Sequence, residues 1–422
     1  MQEFLLPYGP GVERVRLPDA LSVRVVTPPA PPAPTTGAAA LVERALDAPV
    51  GAPPLVEAAR GARRVTVVVP DRTRPAAVAE WLPAVLRRLE EGGVPRGGVS
   101  ILVGGGIHAP VPAAEARAIV GEAAALRCAV SSTAPDDLAA HVDLAPDIAI
   151  RPLRVHRLAA EADLVVLCGA VAPHYLAGFS GGAKALVPGA ADRATVSAAH
   201  RLTLDATVLP DGSVCSWLGR TEGNPFRDAL VRVARSLPRV FLVNVSLAAG
   251  RVASATAGEV GEAHDAEVAA HRAAFSVPRP EPADLVIAGG GAPRDRDLVQ
   301  AHKALVLAAE VARPGAPIVW LAHAERGAGD PAFLPWFEAG RLDRHLAALR
   351  RDFHPYGLTA YALRFKAARH PVHVVSTLSR DVLRPMGLLA FPDAQSAVDH
   401  AFATARVGTC VVLPHAAETL FA

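Results

Sequence analysis

Residues Leu164–Leu167, LVVL, run through Cys168-Gly169 toward Ala172–Leu202, APHYLAGFSGGAKALVPGAADRATVSAAHRL. The first four are a short apolar run rich in β-branched residues, which predicts a buried strand ending at the glycine. In open parallel α/β sheets ligands bind outside the carboxyl ends of strands, so the segment that follows is where a site belongs. It sets His174, Lys184 and His200 around Gly178, Gly181 and Gly182. Without a Cβ, glycine lets the backbone take positive φ and bring N–H groups close to an anion such as phosphate. Asp192–His200 reads as a helical segment with Asp192 as its N-cap. A Walker A loop is excluded, because that motif needs a hydroxyl residue after its lysine and Ala183-Lys184-Ala185 stands here.

Two upstream strands repeat the pattern. Val65–Val69 runs into the proline-bracketed polar turn Pro70-Asp71-Arg72-Thr73-Arg74-Pro75, and Ser100–Val103 ends in Gly104-Gly105-Gly106-Ile107-His108. An arginine and a histidine are thereby expected at matching strand ends. Phe241–Val245, Leu285–Ala288, Ile318–Leu321 and Val372–Val375 also read as buried strands, separated by helical stretches such as Ala394–Ala405. Such alternation predicts a mostly parallel α/β architecture. The proline cluster Val277–Pro282 reads as a linker, and Asp284-Leu285-Val286-Ile287-Ala288-Gly289-Gly290-Gly291 opens a fresh domain. Ala292-Pro293 breaks any G-x-G-x-x-G continuation, so this is a strand-end turn that would present Gln300 and Lys303 to an interdomain crevice. The expected organisation is two Rossmann-like α/β domains, residues 1–276 and 283–408, with the active site in the crevice between them.

The chain has 422 residues, 51% hydrophobic and 20% charged, enough for two sizeable cores. Lys+Arg 43 nearly balance Asp+Glu 41 for a net charge of +2, with no basic block, so nothing asks for nucleic acid or a membrane surface. Met1-Gln2-Glu3 is not a basic signal-peptide start, and no apolar run is long enough to span a bilayer. Cys128, Cys168, Cys215 and Cys410 are scattered with no C-x-x-C pair, which points to a reducing, cytoplasmic setting and away from a thiolate metal site. The proline-rich stretch 27–34 reads as an extended spacer. His323, His345, His354, His370 and His373 share no metal-ligand spacing and are expected mostly at the solvated surface.

Taken together, PDRTRP (Pro70–Pro75), GIHAP (Gly106–Pro110), APHYLAGFSGGAKALVPG (Ala172–Gly189) with His200, EGNP (Glu222–Pro225), Ala263-His264 and QAHKAL (Gln300–Leu305) resemble the nickel-pincer lactate racemase family, in order and across most of the chain. The resemblance implies a racemase or epimerase of a 2-hydroxy acid. It implies a nickel pincer nucleotide, pyridinium-3-thioamide-5-thiocarboxylic acid mononucleotide, as cofactor. By the same resemblance His200 ligates nickel and Lys184 is the residue to which the cofactor can be covalently joined. Asp71, Thr73, Ser180, Gly181 and Gly182 would contact the cofactor. His108 and His174 would be the acid/base pair serving two faces of the substrate, while Arg74, Gln300 and Lys303 would hold it. Residues 409–422 would return to the first domain, and the partners implied are the small-molecule substrate and the pincer-nucleotide biosynthesis proteins. Family members commonly place arginine directly after the first catalytic histidine, whereas Ala109 stands here, so the reaction type carries over more firmly than lactate itself. Tyr356, Tyr361 and Trp320 are the aromatic residues considered for closing the site.

Two other readings fit the same residues. His108, His174 and His200 could form a three-histidine zinc site with an open position, as in a hydrolase. The chain could also bind the pincer nucleotide without catalysis.

Overall fold

The computed structural model describes residues 1–29, 34–144 and 149–422. Residues 30–33 of the proline-rich stretch lie outside the described residues. The chain divides into two compact units, and both are α/β.

One unit comprises 30–206 and 217–274. Its six-stranded sheet has the order Arg251–Gly258, Val240–Ala248, Leu164–Ala170, Val65–Pro70, Val99–Gly104, Ala129–Ser132. All neighbours are parallel except the first two, which form a hairpin through Ala249-Gly250, both at positive φ. Val67 pairs with both Val166 and Ile101, and all three are fully buried, which is why these runs read as continuous apolar sequence. Burying each such side chain stabilises the fold by about 1.5–3 kcal/mol, so Val166→Asp in the sheet centre would break this unit. The helix Val78–Glu91 closes one face by burying Val78, Trp81, Leu82, Val85, Leu86 and Leu89, a 3.6-residue stripe. From Val65 the chain steps outward to Val99 and Ala129, then returns to place Leu164–Ala170 on the other side of Val65–Pro70. That reversal makes a topological switch point at the carboxyl ends of the two strands, where a crevice opens.

The other unit comprises 1–29, 207–216 and 275–422. Its six strands are all parallel, in the order Leu389–Phe391, Val372–Val375, Ile318–Leu321, Leu285–Ala288, Thr409–Leu413, Ser22–Val25. The boundaries therefore differ from the expected 1–276 and 283–408. Ser22–Val25 hydrogen-bonds to Thr409–Leu413, and Leu6, Val15 and Leu17 share a core with Leu285, Ile287, Val319 and Val398. Residues 409–422 stay in this unit too, because Thr409–Leu413 lies beside Leu285–Ala288 and Leu420-Phe421 pairs with Ser276-Val277. His345, His370 and His373 are buried rather than solvated; His345 meets the Gly357 carbonyl at 3.0 Å and His370 the Ala316 carbonyl at 3.0 Å. Trp320 and Tyr361 are core residues, bonded to the carbonyls of Ala301 and Gly212.

Among the described residues no helix is long and apolar enough to cross a membrane, and all four cysteines are free.

Candidate active site

Three carboxyl ends of the first sheet supply the chemistry, each through the segment that leaves it. After Pro70, Asp71 is buried and its Oδ1 accepts from the Thr73 amide at 3.0 Å and the Thr73 hydroxyl at 2.6 Å. Its Oδ2 lies 2.7 Å from Nδ1 of His108, which leaves the neighbouring strand. Burial alone would raise the Asp71 pKa, but the hydrogen bonds from His108 and Thr73 prevail and hold it below the usual range. An ionised carboxylate only accepts, so Nδ1 of His108 carries a proton and Nε2 carries the lone pair. Asp71 and Thr73, expected to contact a cofactor, are here engaged in orienting His108.

His174 is held in the opposite sense. The backbone amides of Leu176 and Ala177 both donate to its Nδ1 at 3.2 Å, which places the proton of the neutral ring on Nε2. The turn itself is anchored by Asn224, whose Nδ2 donates to the Leu176 carbonyl at 2.9 Å while its Oδ1 caps the helix Pro225–Arg235.

Gly181 (φ 78°) and Gly182 (φ 59°) turn the chain into a short 3-10 helix that carries Lys184. A Cβ on Gly181 would sit 2.6 Å from Asn244 Oδ1, and one on Gly182 would sit 2.9 Å from the His264 ring. Glycine is required there by contact as well as by φ. The turn's polar groups are largely committed to its own support. The Gly182 amide donates to Asn244 Oδ1 at 3.1 Å, Ser180 Oγ bonds the backbone of Ala170 and Ala172, and His264 Nε2 donates to the Ser180 carbonyl at 3.0 Å. Ser180 and Gly182 thus shape the loop instead of offering these groups outward. Asn244, Asn224 and His264 are the supporting residues that motif reading passed over, although EGNP and Ala263-His264 had marked two of them.

Lys184 keeps part of its surface, yet protein packs closely around its ammonium, which lies 5.3 Å from the centre of the Phe226 ring. Burial and the nearby positive charge of Arg74 lower its pKa from 10.5 to about 7. His200, on the helix Arg193–Thr207, packs against the same phenyl ring at 5.2 Å. Its Nδ1 donates to the Val196 carbonyl at 2.8 Å, so Nε2 presents a lone pair. Burial first, then Lys184, hold the ring neutral with a pKa of about 4. Asp192 caps this helix as expected, its Oδ1 accepting from the Thr195 amide at 2.8 Å. Gln300 and Lys303 belong to the other unit, on the helix Leu298–Val311, where Lys303 Nζ donates to Gln300 Oε1 at 2.9 Å.

A neutral imidazole with a fixed tautomer suits a soft divalent metal, and a lysine pKa near 7 leaves a reactive free amine near neutral pH. His200 and Lys184 therefore fit a metal-bearing group that could be anchored through an amine. Among the described residues no three His, Cys, Asp or Glu side chains come together as a metal-ligand set, so the three-histidine zinc site finds no support.

Residues 8–208 match the lactate racemase N-terminal domain. The lactate racemase of Lactiplantibacillus plantarum is 29% identical over 293 residues, covering 69% of this chain and 68% of the relative. That of Thermoanaerobacterium thermosaccharolyticum is 27% identical over 307 residues, covering 71% and 69%. Over these stretches the chain is similar to the lactate racemase family. It is an enzyme of the isomerase class, a racemase. The fold matches the lactate racemase apoprotein from Thermoanaerobacterium thermosaccharolyticum with a TM-score of 0.85, at 24% identity and over 100% of both chains. A Thermotoga maritima crystal structure matches with a TM-score of 0.65 at 17% identity, over 90% of this chain and 97% of the other.

Proposed function

We propose that this racemase interconverts the enantiomers or epimers of a 2-hydroxy acid with a nickel pincer nucleotide as cofactor. The observation that carries the reading is the pair formed by a neutral His200, with its lone pair on Nε2, and a Lys184 amine lowered to about pKa 7 against the same ring. His200 would hold the nickel and Lys184 would anchor the nucleotide. When bound, the group supplies the acceptor and return donor for the hydride of the substrate Cα.

The chain's own residues handle the proton and the charge. His108 presents a lone pair on Nε2 and takes the hydroxyl proton, and the Asp71 carboxylate then balances the imidazolium. His174 presents Nε2–H and hydrogen-bonds to the oxygen as it becomes a carbonyl. To accept a proton itself, its ring turns out of the Leu176 and Ala177 amides. Arg74 offers a fork for the substrate carboxylate. Ala109 in place of the family's arginine leaves room for an acid other than lactate, while the supply of cofactor makes the pincer-nucleotide biosynthesis proteins its partners.

Coexpression with the pincer biosynthesis machinery, followed by assay across a panel of 2-hydroxy acids, tests this. Interconversion of one acid without deuterium uptake from solvent at Cα, lost with nickel in His200→Ala, is the expected result. Full activity in protein prepared without nickel would overturn it.

A further inference from the structure

We propose that the Rossmann-like unit built around Leu285–Ala288 carries a second small-molecule site, for a phosphate-bearing anion, in the cavity between the start of the helix Leu342–Arg351 and the segment Arg384–Gly387. The cavity holds about 650 Å³ and is lined by Arg341, Leu342, Asp343, Arg364, Arg384 and Gly387, among others. Arg364 is its central feature. The residue is only 6% exposed, no carboxylate pairs with it, and burial lowers its pKa. Its Nη2 donates to the carbonyls of Phe337 (2.6 Å) and Pro385 (2.9 Å), which ties together the two segments flanking the cavity. Its Nη1 is buried and meets no acceptor among the described residues. A buried cation without a counter-charge is destabilising. The Phe337 ring, 5.2 Å from the guanidinium carbon, shares its charge and two carbonyls take Nη2, but a purely structural role leaves Nη1 unexplained.

Two features favour an anion there. Arg384, next to Pro385, is exposed, and its guanidinium makes no ion pair or hydrogen bond among the described residues. Asp343, the one acid in the lining, is occupied by Arg341 at 3.1 and 3.3 Å. The lining therefore carries three arginines against one carboxylate. Two guanidinium forks match the several oxygens of a tetrahedral phosphate better than a single planar carboxylate. The volume admits a molecule larger than phosphate itself, with Leu342 and Met386 as apolar walls.

The test is titration calorimetry of the holoenzyme at low salt with inorganic phosphate and, separately, adenosine 5′-monophosphate. Saturable binding of at least one is expected. Tighter binding of the nucleotide would identify a phosphorylated small molecule, and equal binding would identify free phosphate. Because cofactor sites also attract phosphate, the deciding variants are Arg384→Ala and Arg384→Glu, on an exposed side chain. Arg384→Ala should weaken binding by about tenfold, the effect of one charge-assisted hydrogen bond, and Arg384→Glu by more. Arg364→Lys should weaken it further if it folds. Unchanged affinity in Arg384→Glu, or no saturable binding to wild type, would overturn the proposal.

Discussion

The loop that carries His108 and the turn that carries His174 present the same imidazole through opposite hydrogen bonds. A buried carboxylate accepts a hydrogen bond from Nδ1–H of His108, while two backbone amides donate hydrogen bonds to Nδ1 of His174. The first ring is thereby set to accept at Nε2 and the second to donate. Two residues that a motif would enter as an equivalent pair are made unequal by their supports alone. The inequality also has different durability, since Asp71 can be substituted but backbone amides cannot.

Glutamine offers an N–H donor and no basic nitrogen, so it separates the two roles. His108→Gln should lower kcat by about 10²–10⁴-fold, with a clearly smaller loss for His174→Gln; equal losses would erase the distinction. Asp71→Asn should lower kcat by about 10–100-fold with little change in KM, as expected for a partner that orients another group. An unchanged kcat in that variant would return Asp71 to a purely structural part. Gly182→Ala tests the glycine turn that follows the His174 segment. It places a Cβ at 2.9 Å from His264 with φ at 59°, and should cost about 1–3 kcal/mol in stability, read by chemical denaturation.

The smallest effect concerns Lys184 in the cofactor-free protein. Its amine drops from 10.5 to about 7 on folding, so between those pH values the unfolded chain binds more protons than the folded one. Its burden on stability is therefore full below about pH 7 and relieved as pH rises toward 10.5. Lys184→Gln should raise Tm near pH 7 by a few degrees, at about 2–4 °C per kcal/mol, with the gap to wild type closing on the alkaline side. A gap that widened with pH would contradict the lowered amine.

Much of this was legible in the sequence, for local reasons. Val65–Val69, Leu164–Leu167, Leu285–Ala288 and Ile318–Leu321 are dense β-branched runs ended by turn residues, and each is a strand. The strand-end positions of His108, His174 and Lys184 followed from that alone. The partition of the chain was not legible, because Ser22–Val25 and Thr409–Leu413 find each other through pairing that leaves no local mark. Asn244 was hidden for a different reason. It is a single polar residue inside an apolar strand, and only the approach of Gly181 and Gly182 shows what it holds. The buried His345, His370 and His373 were misplaced at the surface because a ring that satisfies one backbone carbonyl is as much an apolar plate as a polar group.

That long-range pairing also sets a timetable for synthesis. Ser22–Val25 leaves the ribosome early but has no partner until Thr409–Leu413 emerges, a delay of about 20–80 s at usual elongation rates. Meanwhile the sheet around Val65–Pro70, whose strands all lie before Gly258, is complete. The nascent chain thus carries a folded body and a waiting edge strand, and an unpaired edge is a template for the wrong neighbour. Ser22–Val25 meets that hazard with only four residues and with Arg24 among them.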